Sequence, residues 1–419
     1  MTASRFRIWL AVITAVGAAW RIGYLAVAKV GTPLLFNDSL HFNIQAGRNA
    51  AGDWFLEGLT NLPGAEHGPL TSLYLTPWSF GSGDHLEWQR LATTLLGIAT
   101  IAVIGFVGLR LAGPRVGLAA AAIAAVYPNL WINDSLVMSE TLAQLLVSLA
   151  LLVALDLDRR PGPWRAVLLG IIVGLATLTR SELGLLAIGF AGLAWWRAPG
   201  VPRRWLQPVL VLAATAVSVL PWVAYNAGRF ERTVLLSTND GTTLLGANCP
   251  RTYGADLGGW DVRCVDAVST DDAIDASVRS AEQREVAVDY VRDHLDRVPV
   301  VVLARVGRVL DVYGLESNVA LDRGDEKAGW VVWAGIVCWW VLAIAAIFGW
   351  RRLGGDETTR CSRWWLAVPL VTVLVATVLF YGAHRIRAPA EPAIVLLAAV
   401  AGIAAWDRIR AGRLAHAPA

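Results

Sequence analysis

Residues 166–196 read AVLLGIIVGLATLTRSELGLLAIGFAGLAWW, two apolar runs near 166–179 and 183–196 separated by little more than Arg180-Ser181-Glu182. A hydrocarbon core about 30 Å thick is crossed by roughly 20 mostly apolar helical residues, so the stretch reads as a membrane hairpin with a charged turn. Eight further runs lie near 8–28, 91–110, 116–132, 138–155, 205–225, 328–350, 364–381 and 388–406. The whole chain agrees: its 419 residues are 56% hydrophobic and 16% charged, where soluble proteins carry about 25% charged residues. The sequence therefore predicts an all-α polytopic membrane protein with about ten transmembrane helices. A net charge of +3 on so apolar a chain excludes a nucleic-acid binder, which needs a basic stripe on a soluble domain.

Arginine placement orients the spans. Of the 36 basic residues only Lys29 and Lys327 are lysine. Seventeen arginines mark one side: Arg5 and Arg7, the connections after spans 2, 4, 6 and 8, and Arg408, Arg410 and Arg413 after span 10. By the positive-inside rule that side is the cytoplasm. The short opposite connections hold only Arg180, Arg385 and Arg387, and each of these needs another reason. Span 1 resembles a signal peptide at Ala26-Val27-Ala28, but its length and Arg21 within it favour a retained anchor. The chain then divides into 1–225 with a first outer loop 29–89, an extracytoplasmic domain 226–327, and a C-terminal module 328–419. Stretches 69–80 and 298–313 are short and interrupted, and read as in-plane or shallowly re-entrant. Arg305 and Arg308 share a face of the second and are expected at lipid headgroups. Trp9, Trp131, Trp164, Trp222, Trp330, Trp350, Trp364 and Trp406 sit near span ends, as interfacial anchors do.

In the 226–327 domain, Asn239-Asp240-Gly241 reads as a turn. Ser280 and Gln283 have the spacing of a capping box opening a helix with Ala287, Tyr290, Val291 and Leu295 on one face. Cys249 and Cys264 face an oxidising compartment and are expected to form a disulfide, whereas Cys338 and Cys361 should stay reduced. Two cysteines with no further ligand nearby do not make a zinc site. No internal repeat of an inverted-repeat transporter is visible. Heavy Arg, Ala, Val and Trp usage points to a GC-rich bacterial source.

Charges at a membrane boundary that topology does not explain are the candidates for function. On the outer side these are Asp38 and His41 after span 1, His67 later in the same loop, Asp134 and Glu140 around the turn of spans 3 and 4, Arg180 and Glu182, and His384, Arg385 and Arg387 between spans 9 and 10. Carboxylates can act as bases or orient a hydroxyl, and arginines can hold a phosphate. Nucleotide sugars are cytoplasmic, and the chain has neither a P-loop nor a soluble dinucleotide fold. A group transferred outside must then arrive on a lipid, for which a polyprenyl phosphate suffices.

These residues carry a family resemblance. Asn37-Asp38-Ser39 with His41, His67-Gly68-Pro69-Leu70 and Arg90-Leu91 follow the first span in the order of the GT-C integral-membrane glycosyltransferases. Within them the chain is most similar to the branch with protein O-mannosyltransferases and the lipid A aminoarabinose transferase. Tyr127-Pro128, Ser139-Glu140, Leu178-Thr179-Arg180-Ser181-Glu182 and Arg385-Ile386-Arg387-Ala388-Pro389 with Glu391-Pro392 resemble patterns of bacterial members, and the Asn248–Cys264 stretch an actinobacterial subgroup. The resemblance implies a multi-pass plasma-membrane enzyme whose site faces outside. It would move a hexosyl or pentosyl group, with inversion, from a polyprenyl-phosphate donor to a cell-envelope glycan, lipid or protein. Asp38 would be the base or positioning carboxylate and Glu140 a second acid, with Arg385 and Arg387 on the phosphate. His41, His67, Arg180 and Glu182 would complete the substrate site. A divalent cation is possible, although Ser39 stands where the family often has Glu, and Gly68 where it often has Pro.

Structural readings compete with each assignment. Asp38 could cap a helix and Glu140 could answer a helix dipole. Arg180 and Glu182 could pair with each other, Arg385 and Arg387 could snorkel to headgroups, and the histidines could be hydrogen-bonded structural residues. At the level of the protein, the rivals are a transporter or lipid-linked-sugar flippase and an inactive scaffold of the same fold. A transporter should gather its charges near the midplane, whereas here the acids sit at span ends.

Overall fold

The computed structural model describes residues 1–57, 60–81, 85–197, 203–267, 274–357 and 359–415. Among them there is no strand, only an isolated antiparallel bridge between Leu56 and Pro63. The first part comprises α1 (Ala3–Tyr24), extended by a π-helical turn to Lys29, then α2 (Asp38–Ala51), α3 (Pro69–Leu75), α4 (Leu86–Ala112), α5 (Pro114–Val126), α6 (Pro128–Trp131), α7 (Glu140–Arg159), α8 (Pro163–Thr179), α9 (Leu185–Arg197) and α10 (Leu206–Asn226). The loop domain holds α11 (Asn239–Ala247), α12 (Val262–Asp266), α13 (Ala276–Asp293), α14 (Val298–Val309) and α15 (Leu315–Gly324). The last part is α16 (Gly329–Gly354), α17 (Arg363–Leu379), α18 (His384–Arg387) and α19 (Glu391–Ala415).

The apolar runs read from the sequence are largely helical. Among the described residues six segments are long and apolar enough to cross a bilayer: α1 with its extension, α4, α7, α10, α16, and α18 running into α19. The helices α5, α8 and α17 are apolar but shorter, and α9 has 13 residues. The run expected at 116–132 breaks, because Pro128 lacks an amide hydrogen and begins the separate turn α6. The protein is thus a multi-pass membrane protein built on a helical bundle. Its core lies between α4, α5, α7, α8, α9, α16, α17 and α19, with Trp365 fully buried against Phe190.

Small residues let the helices approach. A Cβ on Gly108 of α4 would stand 2.8 Å from the Gly117 Cα of α5, so these two helices touch backbone to backbone. Helix α1 is fastened by a buried ion pair: Arg21 Nε donates to Asp134 Oδ2 at 2.5 Å, and the guanidinium also reaches the Ala124 and Ala125 carbonyls. At the arginine-marked end of the bundle, Arg110 pairs with Asp156, Arg197 with Asp158 and Arg115 with Asp407.

Four sequence expectations are corrected. Arg305 and Arg308 do not face headgroups; both are buried. Arg305 donates to the Val378 and Ala247 carbonyls and to Asn248 Oδ1, and Arg308 to the Leu257 carbonyl, Ser317 and Asn318, so they bind the loop domain together and to α17. Asn239-Asp240-Gly241 opens α11 instead of turning. Helix α13 starts earlier than the capping-box reading, with Asp275 as N-cap; Ser280 and Gln283 lie within it, bonded to Asp240 and Thr242. Trp131 and Trp222 are buried, unlike the exposed Trp9, Trp164, Trp330 and Trp406. The Cys249–Cys264 disulfide is present, its ends separated by 15 positions in sequence.

Candidate active site

At the opposite end of the bundle the unexplained charges meet. Asn37 is the N-cap of α2, its side chain accepting from the Ser39 amide at 2.9 Å, so capping does not occupy Asp38. The Asn37 amide also donates to the Gly324 carbonyl at 2.8 Å, which brings the start of α2 to the end of α15 and Asp38 towards Asp325. Arg385, on α18, faces three carboxylates, from α2, from α7 and from the residue that follows α15. Its Nη2 donates to Asp38 Oδ2 at 2.5 Å, its Nε to Glu140 Oε1 at 3.0 Å, and its Nη1 lies 3.5 Å from Asp325 Oδ2. Arg180, at the end of α8, donates to the same Glu140 Oε1 at 3.0 Å and to Glu182 Oε1 at 2.7 Å. Glu140 is wholly buried, and its Oε2 has no hydrogen-bond partner.

The first loop supplies the other flank. His67 Nε2 lies 3.5 Å from Asp38 Oδ1 and 3.8 Å from Glu66 Oε1, while His41 Nδ1 meets Glu66 Oε2 at 2.9 Å. Gly68 explains this approach. A Cβ there would collide with the Leu178 carbonyl at the end of α8, so glycine lets the loop lie against the Arg180 turn. Lys327 donates to Asp322 at 2.9 Å and acts electrostatically on Asp325 and Glu140.

Burial pushes the Asp38 carboxyl up, but Arg385 and His67 beside it outweigh that and hold it well below the usual carboxylate range. His67 shifts the other way: burial disfavours its charge, yet the Asp38 and Glu66 carboxylates raise it above its ordinary value. Asp325 is pushed up to about 6, because its burial exceeds what Arg385 and Lys327 restore. The result is a weakly basic Asp38 tied to a guanidinium that also holds a buried acid.

Of the residues named from the sequence, Asp38, Glu140, His67, Arg180, Glu182 and Arg385 come together, and His41 joins through Glu66. Arg387 is turned away. It donates to Glu391 Oε1 at 2.6 Å and to Asp311 Oδ2 at 2.9 Å, and stacks on Trp339. Glu391 in turn accepts from Tyr127 at 2.9 Å, and Asp311 also meets His384, which bonds Asp322 at 2.7 Å. Asp311 holds Arg387 and His384 from a left-handed backbone, φ 55°. The Tyr127-Pro128 and Arg387…Glu391 motifs therefore build a buried polar brace beside the site. Arg90 does similar work, fully buried against the Lys29 carbonyl, Glu87 and Glu326. Asp325, Glu66 and Lys327 were missed; that Lys327 is one of only two lysines was the available signal.

The acids do not form a metal cage. Among the described residues no three His, Cys, Asp or Glu side chains are grouped to hold an ion, and the space between Asp38, Glu140 and Asp325 is bridged by Arg385.

The fold is similar to that of solved membrane-bound oligosaccharyltransferases. No family model and no curated protein sequence matches the chain. Among solved structures, the oligosaccharyltransferase of Archaeoglobus fulgidus tethered to an acceptor peptide matches 98% of this chain and 51% of its own, at 13% identity and a TM-score of 0.61. The oligosaccharyltransferase AglB of the same organism, in complex with an inhibitory peptide and a dolichol-phosphate, matches 99% of this chain and 52% of its own, at 13% identity and 0.60. ArnT of Cupriavidus metallidurans bound to undecaprenyl phosphate matches over 96% and 78%, at 14% identity and 0.42. The chain spans about half the length of the archaeal enzyme.

Proposed function

We propose that the protein is a glycosyltransferase that moves a sugar from a polyprenyl-phosphate donor to a hydroxyl of a cell-envelope glycan, lipid or protein, outside the plasma membrane of a bacterium. The observation that carries this reading is the Asp38–Arg385–Glu140 bridge, carboxylates and a guanidinium side by side at the end of the bundle away from the arginine-marked one. The likeness to enzymes solved with dolichol-phosphate and with acceptor peptide supports the same chemistry.

In this reading the donor phosphate sits on Arg385 and Arg180. Glu140 grips both guanidinium groups and so sets their spacing. Asp38 receives the acceptor hydroxyl. The hydroxyl oxygen attacks the anomeric carbon, the bond from that carbon to the phosphate oxygen breaks, the phosphate leaves with the electron pair, and the proton passes to Asp38, with inversion. The tie between Asp38 and Arg385 gives the steps an order. A phosphate arriving on Arg385 weakens its hold on Asp38 and returns basicity to the carboxylate only when the donor is present. His67 and Glu66 keep Asp38 oriented, and Glu182 keeps Arg180 in place. A transporter is disfavoured because the acids sit at helix ends.

Mass spectrometry of lipid extracts from a strain lacking the gene tests the reading. Accumulation of a polyprenyl-phosphate sugar together with a truncated envelope glycan is expected. Unchanged lipids and glycans would overturn it.

A further inference from the structure

We infer that the Arg385 guanidinium takes the part of a divalent cation at this site, so that the protein binds no divalent ion there and transfers sugar without one. Each of its three nitrogens faces a different acid: Nη2 faces Asp38, Nε faces Glu140, and Nη1 faces Asp325. The three acids come from α2, α7 and the end of α15, which are distant in sequence and converge only around this side chain. A hard divalent cation would seek the same oxygens at about 2.0–2.6 Å, with six or more ligands. Here those oxygens stand 2.5 to 3.5 Å from nitrogens that already carry positive charge. Arg180 and Lys327 add two more cations to the same acids, so a dication would enter a field already neutralised. The neighbour of Asp38 points the same way. Ser39 is fully buried with its hydroxyl unpartnered, and it provides no second carboxylate.

The catalytic half of this inference rests on the transferase reading, whereas the binding half does not. The purified full-length protein in detergent, stripped with chelator, is titrated with Mn²⁺ and followed by electron paramagnetic resonance. The wild type is expected to bind no stoichiometric Mn²⁺. Arg385→Ala, which leaves three acids facing one gap, is expected to gain one site roughly tenfold or more tighter than any in the wild type, and Arg385→Ala with Asp325→Asn to lose it. Arg385→Gln fills the gap and guards against misfolding: it is expected to elute as the wild type does and to bind Mn²⁺ less tightly than the alanine variant. Transfer by the chelated wild type is expected at an unchanged rate. One tight Mn²⁺ in the wild type, or transfer lost on chelation and restored by Mn²⁺, overturns the inference, as does failure of a folded Arg385→Ala to gain a site. If no polyprenyl-phosphate sugar is used at all, the transferase reading falls and the Mn²⁺ titrations alone decide this one.

Discussion

Asp325 is the residue whose protonation the site should report. Burial pushes it up to about 6, whereas Asp38, paired with Arg385 and His67, stays ionised well below that. Above about pH 6 an ionised Asp325 competes with the donor phosphate for Arg385; below it, the neutral acid does not. A polyprenyl-phosphate sugar is a diester and does not titrate there. Donor affinity is therefore expected to weaken as pH rises through about 6 in the wild type and to be flat and tighter in Asp325→Asn, read by binding titrations from pH 5 to 8. A wild-type profile unchanged by that substitution would remove Asp325 from the site. At this scale the sequence was legible where a charge broke a rule. Arg180 and Arg385 defied the positive-inside pattern, and Asp38 and Glu140 lay at span ends. Arg387 broke the same rule and was misread, since only packing reveals that Asp311 and Glu391 take it inward. Asp325 was invisible because it lies among many loop acids.

At the scale of elements, the long apolar runs were readable as helices because a bilayer imposes a length and a composition, whereas the loop domain imposes neither. Hence the misplaced start of α13 and the headgroup reading of Arg305 and Arg308, whose partners are carbonyls remote in sequence. Two links between elements can be tested. Arg21→Leu leaves Asp134 buried and unpaired and is expected to cost about 3–5 kcal/mol, with Arg21→Leu/Asp134→Leu recovering most of it, measured by denaturation in detergent. A double variant as unstable as the single would mean that the pair is not what joins α1 to the turn before α7. The Cys249–Cys264 bridge closes a short loop worth about 3 kcal/mol on the chain-entropy model. Reduction is expected to loosen the loop domain, seen as faster proteolysis between these residues, and to leave the helical bundle intact.

For the whole molecule, 17 arginines set one face and the Asp38–Arg385–Glu140 cluster the other. Both chain ends are expected in the cytoplasm, with 226–327 outside. In a background lacking the free cysteines, Asp266→Cys should react with an impermeant thiol reagent in intact cells, and Gly355→Cys only after lysis. The central claim is that one ion pair divides two tasks, Arg385 holding the donor and Asp38 activating the acceptor. Its most direct measurement is donor binding and sugar transfer, side by side, for purified Asp38→Asn and Arg385→Ala in lipid nanodiscs. Asp38→Asn is expected to lose about 10²–10⁴-fold in turnover with donor binding intact or tightened, while Arg385→Ala is expected to lose donor binding. Normal turnover in Asp38→Asn, or normal donor binding in Arg385→Ala, would contradict it.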